Sequence, residues 1–375
     1  MVRLERVLIV GAGMAGLSLA IALRRNGVEP DVVERQAAWP IHGAGIYLVG
    51  NAMRALRSFG VADDVLSSGS VIRTQTLMND RGRKLAEIDT ESVWADCGPC
   101  VGVRRAVLQD VLVKALGKAN LRFSITVTAL DQRDNSVVVQ LSDGTERTYD
   151  LVVGADGVRS SIRQHLFGNS EPRFCGQVAW RFLTTCPPSI KGWTVFAGRS
   201  GLFLFIPVGG GHAYCYADAI VAEPMSDPIE GRVERLRSRF SGYSRAVTEA
   251  LNELNSPSEV HFGAIEEVPQ KPWAAGNVLL IGDSAHATSP NMASGAAMAF
   301  EDSLVLSSLI VSERRVEHVI ADYSSQRAAR IRWVQDQTHR RDRIRNLPPV
   351  IRDLLTRYLA NRVYRANYGP LLSEV

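Results

Sequence analysis

Cysteine, lysine and repetitive sequence are all scarce in this chain of 375 residues, and each scarcity excludes something. Five cysteines, at positions 97, 100, 175, 186 and 215, are too few and too scattered for a disulfide framework, so a reducing, cytoplasmic setting is expected. No low-complexity tract and no repeat with a period of about 20 to 50 residues is present, which excludes a solenoid or a disordered scaffold. The cysteines, histidines and acids show no metal-ligand spacing, and no metal is expected.

Only five of the basic residues are lysines, so nearly all the positive charge is arginine. Eleven arginines against three acids fall between Gln326 and Arg365, a local charge of +8 in a chain whose formal total is +4. No aromatic residues interleave with them as in RNA-binding segments, and no nucleic-acid partner is expected. The stretch reads instead as a solvated helix pair. Its Val350, Ile351, Leu354, Leu355, Tyr358, Leu359 and Val363 follow helical spacing and are expected to seek a core.

Long uncharged runs are also few. One of them, "VLIVGAGMAGLSLAIAL" from Val7 to Leu23, stands behind Arg3 and Arg6 and has the look of a signal peptide or membrane span. Its glycines argue otherwise. "RVLIV" reads as a buried strand, Met14 to Arg25 as a helix stopped by Asn26-Gly27, and "DVVE" as a second strand. Between strand and helix stands Gly11-Ala12-Gly13-Met14-Ala15-Gly16, with Glu34 eighteen residues after the last glycine. That order is the dinucleotide-binding fingerprint: Gly11 for a tight turn, Gly13 for close approach to a pyrophosphate, Gly16 for helix–strand packing, Glu34 for ribose hydroxyls. No membrane span is expected.

At 46% hydrophobic and 22% charged, a chain of this length has room for two domains. After the first unit a helix is expected over 50–61, two strands over 71–90 and a helix over 104–116. Short strands should follow over 121–155, strands with a Gly209-Gly210-Gly211 hairpin turn over 172–218, and helices over 229–239, 244–253 and 296–310. A nucleotide-binding domain interrupted by a strand-rich one accounts for that order.

Three motifs stand in sequence: the glycine fingerprint, "GADGVRSSIR" at 154–163, and "GDSAHATSPNMASGAAMAFEDS" at 282–303. Together they resemble the single-component FAD-dependent aromatic hydroxylases of the p-hydroxybenzoate hydroxylase type, over nearly the whole chain. The resemblance implies an α/β fold. A Rossmann-like FAD/NAD(P)-binding domain (1–70, 96–170 and 270–345) would be interrupted by a β-sheet substrate domain (71–95 and 171–269) and followed by a helical C-terminal segment (346–375). It implies FAD, NADH or NADPH as reductant, and O2 as co-substrate. A C4a-hydroperoxide of the flavin would hydroxylate a small aromatic or polyketide-like molecule. Related enzymes perform epoxidation, Baeyer–Villiger oxidation or dehydrogenation, which stay open as alternatives. Both a monomer and a homodimer are compatible with the sequence.

Carried over residue by residue, the resemblance assigns FAD to Gly11, Gly13, Met14, Ala15, Gly16, Glu34, Arg35, Gly43, Arg105, Val127, Asp156, Gly282, Asp283, Ala293, Gly295 and Ala296. The flavin edge and substrate pocket fall to Arg181, Tyr214, Tyr216, Pro290 and Asn291. Ala293 replaces a glycine usual in the family, which narrows the flavin pocket by one methyl. The nearest branch resembles FAD-dependent urate hydroxylases, which place an Arg, an Asp and a Tyr near the substrate. Those positions hold Leu202, Asn291 and Tyr214 here, so a less polar ring than urate is expected.

Several residues carry two readings. Arg181 either holds a substrate carboxylate or phenolate, or pairs with an acid at the domain interface. Tyr214 and Tyr216 share a strand face with His212, either lining a cavity or packing ordinarily. His286 either supports its loop or acts as a base. Glu301 and Asp302 are adjacent on a helix and point about 100° apart, unlike a working carboxylate pair. Cys97-Gly98-Pro99-Cys100 has dithiol spacing, the mark of flavoprotein disulfide reductases. A reactive thiolate wants a helix N-terminus, however, and the nearest helix begins seven residues later, near Arg104. Those reductases also carry a second glycine fingerprint, which is missing. The two cysteines read as bystanders at the pocket mouth.

Overall fold

A computed structural model describes residues 4–39, 44–168, 170–269, 272–313, 315–345 and 347–375. The strand Val7–Val10 is fully buried and pairs in parallel with Leu151–Gly154 on one side and Asp31–Glu34 on the other. Val278–Leu280 and Asn120–Phe123 extend the parallel sheet outward, and Ala274–Ala275 closes one edge antiparallel. Such continuous apolar runs are what a sheet covered on both faces requires.

The helix Met14–Arg25 forms where expected. Its end is set by Asn26-Gly27: Gly27 adopts φ +78°, and the N–H groups of Gly27 and Val28 close on Arg24 and Leu23 carbonyls. Arg24 and Arg25 in its last turn complement the dipole. The helix Gly295–Ser312 packs against it, joined by a buried Ser18–Ser303 hydroxyl contact of 2.8 Å. By length and composition that helix could cross a membrane, but most of it is buried inside the protein, with Phe300 and Leu306 fully enclosed.

A seven-stranded sheet makes the second layer system. Its order is His261–Glu267, Arg173–Thr185, His212–Ile220, Leu202–Pro207, Trp193–Ala197, Thr74–Asn79, Lys84–Asp89. Alternation along these strands sends Phe182, Phe203, Phe205 and Phe196 to one face, where Phe240 and the helices Arg232–Arg239 and Arg245–Asn252 cover them. The opposite face, with Arg181, Leu183, Leu204, Tyr214 and Tyr216, turns toward the nucleotide-binding sheet.

Two expectations need correction. Residues 71–90 form three strands rather than two, and the first, Ser70–Ile72, pairs with Cys100–Arg104 in a separate small sheet. The C-terminal apolar residues do not enter a core. Val350, Ile351, Leu354 and Tyr358 of the helix Pro349–Tyr368 are exposed, by 82, 49, 58 and 72%, while Leu355, Leu359 and Val363 border a cavity. The helix is held by other residues. Trp94 donates to the Tyr364 hydroxyl at 2.9 Å, Tyr368 donates to the Met292 carbonyl at 3.0 Å, and Asn361 donates to the Glu87 carbonyl at 3.0 Å. It ties the edge strand Lys84–Asp89 to the segment at Met292. Nor are all the C-terminal arginines solvated, since Arg327, Arg345 and Arg352 are buried.

Candidate functional site

One cavity of about 1920 Å³ runs from the glycine loop to the far sheet. At its first end the chain turns sharply after Val10. Gly11 sits at φ +105°, where a Cβ would stand 2.5 Å from the Ala155 carbonyl oxygen, and a Cβ on Gly16 would fall 1.8 Å from the Gly11 oxygen. Glycine is required at both. Gly13 differs, since a Cβ there would meet no protein atom within 4 Å; the space beside it belongs to the cavity. The helix that follows has neither a side-chain cap nor an acid in its first turn, so its N–H groups and partial positive charge are free for an anion. Glu34 accepts from the Ala12 N–H at 2.8 Å and fixes the loop to the second strand.

Asp156 accepts from the Ser161 N–H and hydroxyl and the Ile162 N–H through Oδ2, while its Oδ1 is buried without a hydrogen-bond partner. Open space at Gly13, an unneutralised helix end and this orphaned acceptor fit a bound dinucleotide. Arg35, Arg105, Val127, Asp283, Pro290, Asn291, Gly295 and Ala296 border the same cavity. Met14, Ala15, Gly16 and Gly282 lie behind its wall, with Gly282 pressed against Ala15 at φ +60°. Gly43 lies outside the described residues.

A second helix N-terminus faces the cavity at Gly295 and Ala296. It too lacks an acid in its first turn, and the Ser294 hydroxyl donates to the Met292 carbonyl instead of capping. Asp283 stands beside it, with Oδ1 3.9 Å from where a Gly295 Cβ would be. The approach to this helix is bent by Ala293, which adopts left-handed φ +46°, a conformation that favours glycine. Asn291 does not point freely at a ligand: its amide donates to Asp342 and, at 3.2 Å, to Ser289.

Behind this segment lies an ionic network that sequence reading missed. Asp302 accepts from the Gly282 N–H at 2.9 Å, contacts His286 Nε2 at 2.7 Å and pairs with Arg327 at 2.8 Å. Burial alone would raise the Asp302 carboxyl, but His286 and Arg327 outweigh it and hold the group well below the usual carboxylate range. Arg327 also reaches Glu301 at 2.9 Å, and Arg330 and Asn51 complete the shell of Glu301. His286 is therefore a support of the loop. The available signal was two acids in an apolar helix, which demand buried cations.

The far end of the cavity is a sheet face. Arg181 stands opposite Tyr216 in register, Tyr216 opposite Leu204, and Leu204 opposite Val195, all bordering the cavity. Leu183, Tyr214 and Ile206 form the next row. Arg181 lies 5.6 Å over the Tyr216 ring, and no carboxylate among the described residues pairs with it. Burial raises the Tyr214 and Tyr216 phenols, with Arg181 opposing, so both remain protonated donors. His261, opposite Arg181 on the neighbouring strand, was not anticipated. Partial shielding and then Arg181, Arg232 and Arg105 lower its pKa and keep the ring neutral.

Cys97 and Cys100 do not border this cavity, although the Cys100 thiol is hydrogen-bonded to Tyr47 in its wall. They are buried beside a separate cavity of about 280 Å³ near Arg57 and Trp94, rather than at the mouth of the large one. Burial raises both thiols, Cys100 to about 12, which is the reverse of what thiolate chemistry needs.

The fold and cavity define a class: a protein that holds a dinucleotide at the carboxyl edge of a parallel sheet and opens beside it a largely apolar chamber for a small molecule. Residues 5–338 match the FAD binding domain family, and the chain belongs to it, as an FAD-dependent monooxygenase of the aromatic hydroxylase group. It is 33% identical over 327 residues to the aurachin C monooxygenase/isomerase of Stigmatella aurantiaca, covering 86% of this chain and 85% of that one. It is 31% identical over 338 residues to the 2-heptyl-3-hydroxy-4(1H)-quinolone synthase of Pseudomonas aeruginosa, covering 88 and 87%. The fold is also that of Klebsiella pneumoniae HpxO complexed with FAD and uric acid, with a TM-score of 0.83 at 24% identity over 99% of this chain and 93% of that one.

Proposed function

We propose that this enzyme hydroxylates an apolar aromatic or polyketide-like ring, using NADH or NADPH as reductant and O2 as oxygen donor. One oxygen atom enters the ring and the other leaves as water, with the nicotinamide hydride and a proton balancing the reaction. FAD, when bound, supplies the redox and oxygen-activating chemistry. The chain's own residues do the rest. Gly13 and the first helix N-terminus would take the pyrophosphate, Glu34 the ribose, and Asp283 and Arg105 the ribityl region. The N-terminus at Gly295 favours negative charge next to the ring system.

The observation that carries this reading is that the glycine loop and the Arg181–Tyr216 face open into one chamber. Leu202, Leu204, Ile206 and Val195 exclude water from the substrate's flank, which protects a reactive oxidant from wasteful loss. Tyr214 and Tyr216, held protonated, can donate to a ring oxygen, and Arg181 offers a cation to an enolate or phenolate. With Leu202 and Asn291 where the urate branch carries charge, a fused ring with an alkyl chain is the first class to try. The quinolone named for the Pseudomonas relative supports the same choice.

The test is turnover of 2-alkyl-4-quinolones and phenols with NADH or NADPH under isotopically labelled O2. Label in a ring hydroxyl is expected. Arg181→Met should lower kcat/KM about 10- to 100-fold, roughly 1.4 to 2.7 kcal/mol, without altering flavin content. Label in an epoxide or lactone would replace hydroxylation by those reactions. Unlabelled oxidised product with stoichiometric peroxide would mean dehydrogenation.

A further inference from the structure

The helix Pro349–Tyr368 has two working faces. Its inner side, through Leu355, Ala360 and Val363, borders the cavity. Its outer side carries Val350, Ile351, Leu354 and Tyr358, exposed by 82, 49, 58 and 72%. At 100° per residue, Val350, Leu354 and Tyr358 fall on one stripe, with Ile351 beside it. Arg357 and Arg362 flank the stripe on either side, and Arg365 continues it; all three are exposed. The helix's one acid, Asp353, is already paired with Arg352.

This apolar face meets the cavity rim. Ile229, Ile344 and Leu359 each border the cavity and are each exposed, by 54, 39 and 39%, which is the signature of side chains at an opening. Arg343 is exposed one residue before Ile344. An apolar stripe with flanking arginines and no free acid complements a surface that is apolar beneath and anionic above. A second copy of this chain fits less well, because isologous pairing would set one arginine-flanked stripe against another, with no unpaired acid on the helix to meet the arginines.

We propose that the helix Pro349–Tyr368 docks in the plane of an anionic phospholipid bilayer, seating Val350, Ile351, Leu354 and Tyr358 among the acyl chains and holding the cavity mouth at the membrane. A lipophilic substrate then reaches the chamber without crossing water. The docking stands independently of which reaction the chamber performs, because its readout is binding alone.

The experiment is co-sedimentation of the full-length, FAD-loaded enzyme with phosphatidylcholine vesicles, with and without about one-third phosphatidylglycerol. Partitioning onto the anionic vesicles is expected, much weaker onto the neutral ones, and reduced by salt. Arg357→Gln and Arg362→Gln should each weaken it about fivefold, as expected for about 1 kcal/mol per arginine near the surface. Leu354→Asp with Tyr358→Asp should abolish it. Flavin absorbance and thermal stability should be unchanged in that double variant, since both side chains already face water. Equal partitioning on neutral and anionic vesicles would overturn the proposal, as would its absence for the unmodified enzyme or retention by the double variant. So would a concentration-dependent dimer that Leu354→Asp dissolves while vesicles bind nothing, which would make a second copy the occupant.

Discussion

Two helix N-termini face the same cavity, and they are supported by different physics. The one at Met14 is positioned chiefly by backbone geometry. Gly11 turns, Gly16 lets the helix close to within a van der Waals contact of the loop, and the side-chain ties are uncharged or weak apart from Glu34: Glu34 accepts from the Ala12 N–H, Trp39 donates to the Ala12 carbonyl and Ser303 to the Ala15 carbonyl. The one at Gly295 is positioned by charges behind it: Asp302 holds Gly282 and His286, Arg327 holds Asp302 and Glu301, and Asp342 holds Asn291. Local sterics set the first and long-range electrostatics set the second, yet both turn N–H groups without a side-chain cap toward one cavity.

The largest break in that comparison is at Arg327. Replacing it in Arg327→Met leaves Asp302 and Glu301 buried beside fewer cations, and a loss of about 3 to 5 kcal/mol is expected at neutral pH. The pH dependence has a definite sign. In the native protein the Asp302 carboxyl lies below its ordinary value, so its contribution is present above the unfolded pKa and is lost only deep in acid. In the variant His286 and the Gly282 N–H still lower the carboxyl, but less far, so part of that contribution is lost. The deficit should therefore be constant from about pH 7 to about 5 and shrink only as pH falls below the unfolded pKa of about 4, read by denaturant unfolding down to about pH 3. A pH-independent deficit would mean that Arg327 acts by packing and not by charge.

How much of this was legible in the sequence follows the same division. The glycine fingerprint, the stop at Asn26-Gly27 and the end of the second strand at Glu34 are short-range patterns, and the structure has the expected strand–turn–helix–strand there. The Arg327 network spans residues 51 to 330, and no local spacing reveals it. The row Arg181–Tyr216–Leu204–Val195 likewise exists only through strand register. The C-terminal helix shows a third limit. Its periodicity was readable, but periodicity does not say which face meets water, and three of the arginines beside it turned out to be core residues. Cys97 and Cys100, expected at the mouth of the main cavity, border a smaller one instead, with Cys100 set behind Tyr47 of the main cavity's wall.

The glycine loop permits a sharper test of the backbone half. In Gly16→Ala the new methyl collides with the Gly11 carbonyl, which is backbone and cannot step aside, so about 3 kcal/mol of stability and the bound FAD should be lost together. In Gly13→Ala nothing in the protein is touched, so the apo-protein should unfold as before. FAD affinity should still fall at least about tenfold, roughly 1.4 kcal/mol, because the methyl occupies the approach to the pyrophosphate. Unaltered FAD affinity in Gly13→Ala would remove the loop from the phosphate site.

The smallest effect expected is at Ala293, the left-handed residue in the electrostatically held half. At φ +46° its Cβ crowds the backbone, at a cost of about 1 to 2 kcal/mol, whereas glycine there pays only extra chain entropy of about 0.4 to 1 kcal/mol. Ala293→Gly should therefore stabilise the protein by up to about 1 kcal/mol, seen as a rise of a few degrees in Tm for both apo- and FAD-loaded forms. If the gain appears only in the apo-form, the alanine methyl makes a favourable contact with the cofactor that offsets the backbone strain. If it appears equally in both, the methyl is indifferent to FAD, and the surrounding ionic network alone keeps this residue left-handed.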